Sequence, residues 1–242
     1  MKHIRIFSLM LVAFLSVLAC NAQRNASSSP TEYSYRQRSY DGIGKVYMGR
    51  EISFVMGFHG KDWLERWTRD LEENVSLAIE NLPINEKSIV ADIGAGSGYY
   101  TFRIAPKVPQ GKVYAVEIQQ DAIDYLGEES KKRGFSNVIP VMGDEKSPRL
   151  PENSIDLAIM VDVYHELEYP KEMLAEIRKS LKPDGKLLLI EYRGEDPEVP
   201  IKPLHKMTVR QAKKELEANG FKLQENGQFM SMQHFLVFGK SE

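Results

Sequence analysis

The side chains able to do chemistry in this chain gather where apolar runs end. Residues 88–93 form one such run, and it leads through Asp92 into Gly94-Ala95-Gly96-Ser97-Gly98, a turn that removes three side chains where a ligand's backbone or sugar would approach. Glu117 lies near the end of a second run, 112–118, where an acidic side chain accepts hydrogen bonds from the two hydroxyls of a ribose. Asp144 follows a third run, 138–142, and suits the exocyclic amine of an adenine, while Asp92 suits a cationic or hydroxyl-bearing group. Together they predict a socket for an adenosine-type ligand, the alternative being that these carboxylates are helix caps or loop residues. The glycine spacing is not G-x-G-x-x-G. Tyr99 takes the third position, which argues against a pyrophosphate and so against a nicotinamide-dependent oxidoreductase.

Beyond a fourth run, 155–160, stand Asp162, Tyr164 and His165, and His205 lies in a proline-flanked loop after a fifth run, 186–192. An imidazole with an ordinary pKa near ~6.5 suits proton removal at neutral pH, which makes His165 and His205 the candidate bases. The alternative for His165 is a helix cap or a bond to a carbonyl. Tyr164 is expected to orient an acceptor or pack against the ligand, and Lys206 to attract an acidic substrate. Asp162 is expected to shape the pocket or hold part of the ligand, because an exposed carboxylate is a weak base at pH 7. Two histidines with Glu166 or Glu191 raise the question of a metal, but neither H-x-x-x-H nor H-x-E spacing occurs, and none is expected.

These groups need elements to hold them. The five apolar runs read as strands buried on both faces, and 221–224 and 233–239 read as two closing strands around Asn226-Gly227. Between them, helices are expected at 120–133, at 171–181 after Pro170, and at 208–219, where Thr208-Val209-Arg210-Gln211 is a capping box and Gly220 a stop. Upstream, Trp63, Trp67, Leu71, Val75, Ala78, Ile79 and Leu82 recur every three or four residues and predict one amphipathic helix over 61–82, ended by Pro83. Residues 40–60 alternate glycines with aromatic residues and methionines. They read either as a lid over the ligand, with Trp63 and Arg66 as substrate contacts, or as a loop covering one sheet edge.

Through 90–101, the Glu117 strand, Gly143-Asp144, 156–167 and Leu181-Lys182-Pro183-Asp184-Gly185-Lys186, the sequence resembles the class I S-adenosylmethionine-dependent methyltransferases over roughly 61–239. Its Val-Asp-Val-Tyr-His-Glu (161–166) and Pro-Leu-His-Lys-Met (203–207) resemble a subgroup of small methyltransferase-like lipoproteins that points to no particular substrate. The resemblance implies an α/β fold with a seven-stranded, doubly wound, Rossmann-like sheet, mostly parallel with an antiparallel closing strand. It implies S-adenosyl-L-methionine as cofactor, with Asp92, Gly94, Ala95, Gly96 and Gly98 near the methionine and ribose, Glu117 and Ile118 at the ribose, Asp144 by the adenine and Asp162 at the methionine end. The implied reaction is methyl transfer to a small-molecule or envelope-associated acceptor, with His165, Tyr164 and His205 at the acceptor side.

The 242 residues, 42% hydrophobic and 27% charged, suffice for one catalytic domain over 61–242. A net charge of -2 without a long basic run gives no footprint for nucleic acid, and no obligate protein partner is indicated. The start is different in kind. Lys2, His3 and Arg5 precede an apolar run, 6–19, too short for an ordinary membrane span, and Val17-Leu18-Ala19-Cys20 resembles a bacterial lipobox. Residues 1–20 are therefore expected to be a signal peptide processed at Cys20, the only cysteine, with 21–39 a flexible tether. The chain is expected in the bacterial cell envelope, held to a membrane surface, or in the cytoplasm if the signal is not processed. Because the cofactor is made in the cytoplasm, this location also raises a non-catalytic lipoprotein that binds an adenosyl ligand.

Overall fold

The computed structural model describes residues 32–241. The proposed signal, Cys20 and the tether up to residue 31 lie outside the described residues. The later part of the expected tether is not all tether, because Tyr33–Tyr35 forms strand β1, paired antiparallel with β2 (Gly42–Tyr47), which in turn pairs with β3 (Arg50–Ser53). The stretch 40–60 thus begins as a hairpin with buried Tyr47 and Ile52, and only its second half is irregular.

Seven further strands make the main sheet. They are β4 (Ile89–Ile93), β5 (Lys112–Glu117), β6 (Val138–Met142), β7 (Ile155–Val161), β8 (Leu181–Tyr192), β9 (Phe221–Gly227) and β10 (Gln233–Lys240), in the order β6-β5-β4-β7-β8-β10-β9. Strands β4 to β8 run parallel, and β10 lies antiparallel between β8 and β9. The expected α/β sheet is present, with its antiparallel closing strand.

Continuous apolar runs follow from burial on both faces. In β8, Leu188 and Ile190 face one core with Val90, Leu157 and Ile159, while Leu187 and Leu189 face the other with Ala91, Ala158 and Met160. Helices α1 (Lys61–Leu64), α2 (Arg69–Glu73), α3 (Val75–Glu80), α4 (Thr101–Ile104), α5 (Gln120–Arg133), α6 (Pro170–Ser180) and α7 (Val209–Glu217) supply the remaining layers. Val75, Ala78, Phe102 and Leu126 join the first core, and Leu174, Ile177, Ala212 and Leu216 the second. The Thr208 hydroxyl accepts from the Gln211 amide at 3.0 Å, capping α7 as its sequence requires.

The expected single helix over 61–82 is broken into α1, α2 and α3. Asn74 takes a left-handed conformation with φ of 53°, ending α2 and preceding α3. Trp67 and Leu71, two positions of the apolar periodicity, are 86% and 76% exposed.

Candidate active site

A cavity of about 540 Å³ opens at the carboxyl ends of β4, β5 and β7, where parallel sheets place their ligand sites. Its floor is the glycine turn. The amides of Gly94 and Ala95 both donate to the carbonyl of Val116, at 2.9 and 3.0 Å, and the Gly96 amide donates to Glu117 Oε1 at 3.1 Å. Gly94 has φ of +73° and Gly96 of +56°, and a Cβ would lie 2.6 Å from Val163 at the first and 2.8 Å from Leu64 at the second. Only glycine fits both the backbone angles and the space.

Glu117 lines the cavity at the tip of β5. Its second oxygen accepts from the amides of Ile118 at 2.7 Å and Gln119 at 3.3 Å, which leaves capacity for a hydroxyl donor on the carboxylate. Ile118 and Asp144 also line the cavity. Asp144 is largely engaged in its own turn, accepting from the amides of Lys146 and Ser147 at 2.9 Å and from Arg149 at 3.1 Å, and the Lys146 amide leads the contacts that hold its carboxyl below the usual range. Asp162 lines the cavity with φ of 54°. Burial, reinforced by Glu73 and Glu191, pushes its carboxyl well up, and its oxygens accept from the Gln233 amide group at 2.8 and 3.0 Å.

Several expected contacts stand outside the cavity wall. Asp92 lies behind the glycine turn, 2% exposed, accepting from the Thr101 hydroxyl at 2.6 Å, and burial pushes its carboxyl up to about 6. It ties β4 to the first turn of α4. Ala95 faces the core, and Gly98 makes room for Phe102 and Leu126. Tyr164 is fully buried with its hydroxyl donating to Glu215 at 2.9 Å, so it packs beneath the site and touches no cavity. Lys206 donates to the carbonyls of Asp196 and Val199, fixing its own loop.

The two histidines meet. His165 Nε2 stands 3.2 Å from His205 Nδ1, with the rings edge to face. Behind His165, Nδ1 is 2.6 Å from the buried Glu191 carboxylate. Behind His205, Nε2 is 2.8 Å from Asp41, an ion-pair distance without hydrogen-bond alignment, and Asp41 also accepts from Lys202 at 2.8 Å. Glu166 Oε1 lies 3.4 Å from His205 Nδ1 and 3.8 Å from His165 Nε2. Burial opposes protonation of His205, but Glu166 and Asp41 outweigh it, and the imidazole titrates above its ordinary value.

Several groups that sequence reading missed complete the site. Gln119 accepts from the Phe58 amide at 2.7 Å and donates to the Met56 carbonyl at 3.2 Å, strapping Phe54, Val55, Met56 and Phe58 across the cavity. Trp63 lines the cavity, whereas Arg66 is turned to Glu72 and Glu73. Arg69 lines it too, over the Tyr99 ring, with its Nε 3.0 Å from Glu73, which also accepts from the Tyr192 hydroxyl at 2.6 Å. The only sequence signal for Arg69 was its (i, i+4) spacing from Glu73, which is ordinary on a helix surface.

A family model described as a methyltransferase domain matches residues 84–235. An uncharacterized methyltransferase of Schizosaccharomyces pombe is 34% identical over 111 residues, 46% of this chain and 41% of that protein. The (S)-coclaurine N-methyltransferase of Thalictrum flavum is 28% identical over 118 residues, 49% of this chain and 32% of that one. The matched stretch thus spans under half the length of these curated relatives. Among solved structures, a SAM-dependent methyltransferase from Aquifex aeolicus superposes with a TM-score of 0.71 at 23% identity, covering 76% of this chain and 98% of its own. The [4+2]-cyclase SpnF shares the fold at a TM-score of 0.60 and 18% identity, over 69% of this chain and 80% of its own.

Proposed function

Since the chain belongs to the methyltransferase-domain family, we propose that it transfers a methyl group to a small-molecule or envelope-associated acceptor. S-adenosyl-L-methionine, the cofactor this family implies, supplies a methyl carbon activated by a positively charged sulfur. One observation carries the proposal. A single cavity is walled on one side by the glycine turn and Glu117, and on the other by His165 and His205.

The residues present suit that cofactor. Gly94 and Gly96 leave their places on the wall without side chains, Glu117 has an acceptor site for a ribose hydroxyl, and Asp162, half-buried, offers a carboxyl whose charge a nearby ammonium would favour. Asp144 would face the adenine and Arg69 the methionine carboxylate, both from the cavity wall. In-line displacement needs acceptor, methyl and sulfur in a row, so the wall residues act chiefly by position. His165, with its Nδ1 held against Glu191, and His205 beside it are placed to take a proton from a neutral acceptor. We place the chain at a membrane surface through Cys20, in the cell envelope, with a small molecule rather than nucleic acid as substrate.

The test is calorimetry of the full chain in detergent with S-adenosylmethionine, S-adenosylhomocysteine and NAD, followed by labelled-methyl transfer into an envelope extract. Binding of the first two but not NAD, with label transferred, is the expected result. Binding without transfer to any fraction would favour the adenosyl-ligand-binding lipoprotein, and no binding by the folded chain overturns both readings.

A further inference from the structure

The paired histidines pose a problem that hydrogen bonding alone does not solve. Glu191 at 2.6 Å favours a proton on His165 Nδ1, while Asp41 stands at ion-pair distance, 2.8 Å, from His205 Nε2. His165 Nε2 then turns its lone pair on His205 Nδ1 across 3.2 Å, a contact that one proton can bridge. Glu166 Oε1 brings a third lone pair to the same place, 3.4 and 3.8 Å from the two nitrogens. A proton joins only two of these atoms at once. The triangle they form has a point about 2 Å from all three corners, the distance at which zinc is held by imidazole nitrogen and carboxylate oxygen.

We propose that His165, His205 and Glu166 form a divalent-cation site of the zinc type, with its open side on the cavity. Charge agrees with geometry. Glu166, Glu191 and Asp41 are three carboxylates around two imidazoles, and Lys202 supplies one positive charge among them, so with both rings neutral, as ligands must be, two negative charges are in excess. Carboxylates behind both ligating rings are the arrangement that fixes imidazole orientation and raises its donor strength. All three ligands come from loops, His165 and Glu166 from the turn after β7 and His205 from the loop after β8. That is why no ligand spacing is visible along the chain, and the proposal departs here from the sequence expectation of no metal. Three protein ligands with a fourth position open to a cavity is the pattern of a catalytic rather than a structural cation. Resting on the methyltransferase reading, the acceptor itself, of the hydroxyl or thiol class, would take that fourth position; with the cation bound the two imidazoles hold the metal, and the cation rather than a histidine makes the acceptor's proton easier to lose.

The full chain in detergent, stripped with EDTA, is titrated with zinc by calorimetry and with cobalt(II) by visible absorption. About one equivalent should bind, with cobalt giving the intense bands of a four-coordinate ion. His205→Ala and Glu166→Gln, both at partly exposed loop positions, should each weaken zinc by at least about tenfold while circular dichroism stays unchanged. Zinc affinity unaltered in both variants overturns the site. S-adenosylmethionine titrated into the same preparation separates the two readings: cofactor binding without zinc binding removes the cation alone, and zinc binding without cofactor binding removes the methyltransferase alone.

Discussion

At the scale of single residues, Glu117 and Asp92 divide a task that the sequence assigned to both. Glu117 faces the cavity, and its loss removes charge-assisted acceptors worth about 1.5–3 kcal/mol. Glu117→Ala should therefore weaken S-adenosylmethionine by about 10–100-fold in calorimetry. Asp92 is buried behind the turn, and its effect should appear in stability. Its carboxyl moves from an ordinary 3.8 to about 6 because burial disfavours the charge. The folded state thus holds this proton more tightly than the unfolded chain, so Asp92's contribution is complete below about pH 4 and is lost as pH rises through about 6. The difference is about 3 kcal/mol. Denaturant midpoints measured from pH 4 to 7 should fall for the native chain relative to Asp92→Asn, and parallel curves would remove this account of the buried carboxyl.

At the scale of elements, the strands were legible and the first helical region was not. Strands β4, β5, β7 and β8 are buried on both faces, so an unbroken apolar run was sufficient signal. Residues 61–82 kept helical spacing throughout, yet Asn74 takes a left-handed conformation that interrupts the helix, and only its three-dimensional setting reveals that. Asn74→Gly should leave stability within about 0.5 kcal/mol, whereas Asn74→Val, whose branched side chain resists positive φ, should cost about 1–2 kcal/mol in chemical denaturation. The strap over the cavity is a second element that periodicity does not describe. Gln119 holds it by two hydrogen bonds. Gln119→Ala should raise amide exchange across Phe54, Met56 and Phe58 with little change in the global melt, and unchanged exchange there would show that packing alone holds the strap. Within the site, Glu117, His165 and His205 were found from their places after strands. Asp41, Arg69 and Gln119 were not, because three separate segments bring them to the same wall.

At the scale of the whole molecule, the contacts that join the small antiparallel sheet to the methyltransferase domain include one buried ion pair. Arg50 makes two bonds of 2.9 Å to Glu215 on α7, and a third, also 2.9 Å, to the carbonyl of His165. The fold beneath the histidines therefore depends on residues that precede the family's matched region. Arg50→Ala leaves Glu215 charged in the interior with only the neutral donors Tyr164 and Gln211, which should cost about 3–5 kcal/mol and lower the melting temperature by roughly 10 °C. Arg50→Ala together with Glu215→Leu should recover much of that loss, since the stranded charge is gone; failure of the double variant to recover would place the cost in packing.

The two walls of the cavity differ in how they are built. The glycine turn is stitched to the end of β5 by backbone bonds, whereas Asp41, Glu166, Lys202 and His205 stand on connecting loops. Connections tolerate replacement far better than the strands that carry them. The half that meets the acceptor is consequently transplantable: exchanging the segment 195–206 between relatives should alter which compound is modified while leaving nucleoside recognition as it was, so that new chemistries can arise in this lineage without rebuilding its foundation.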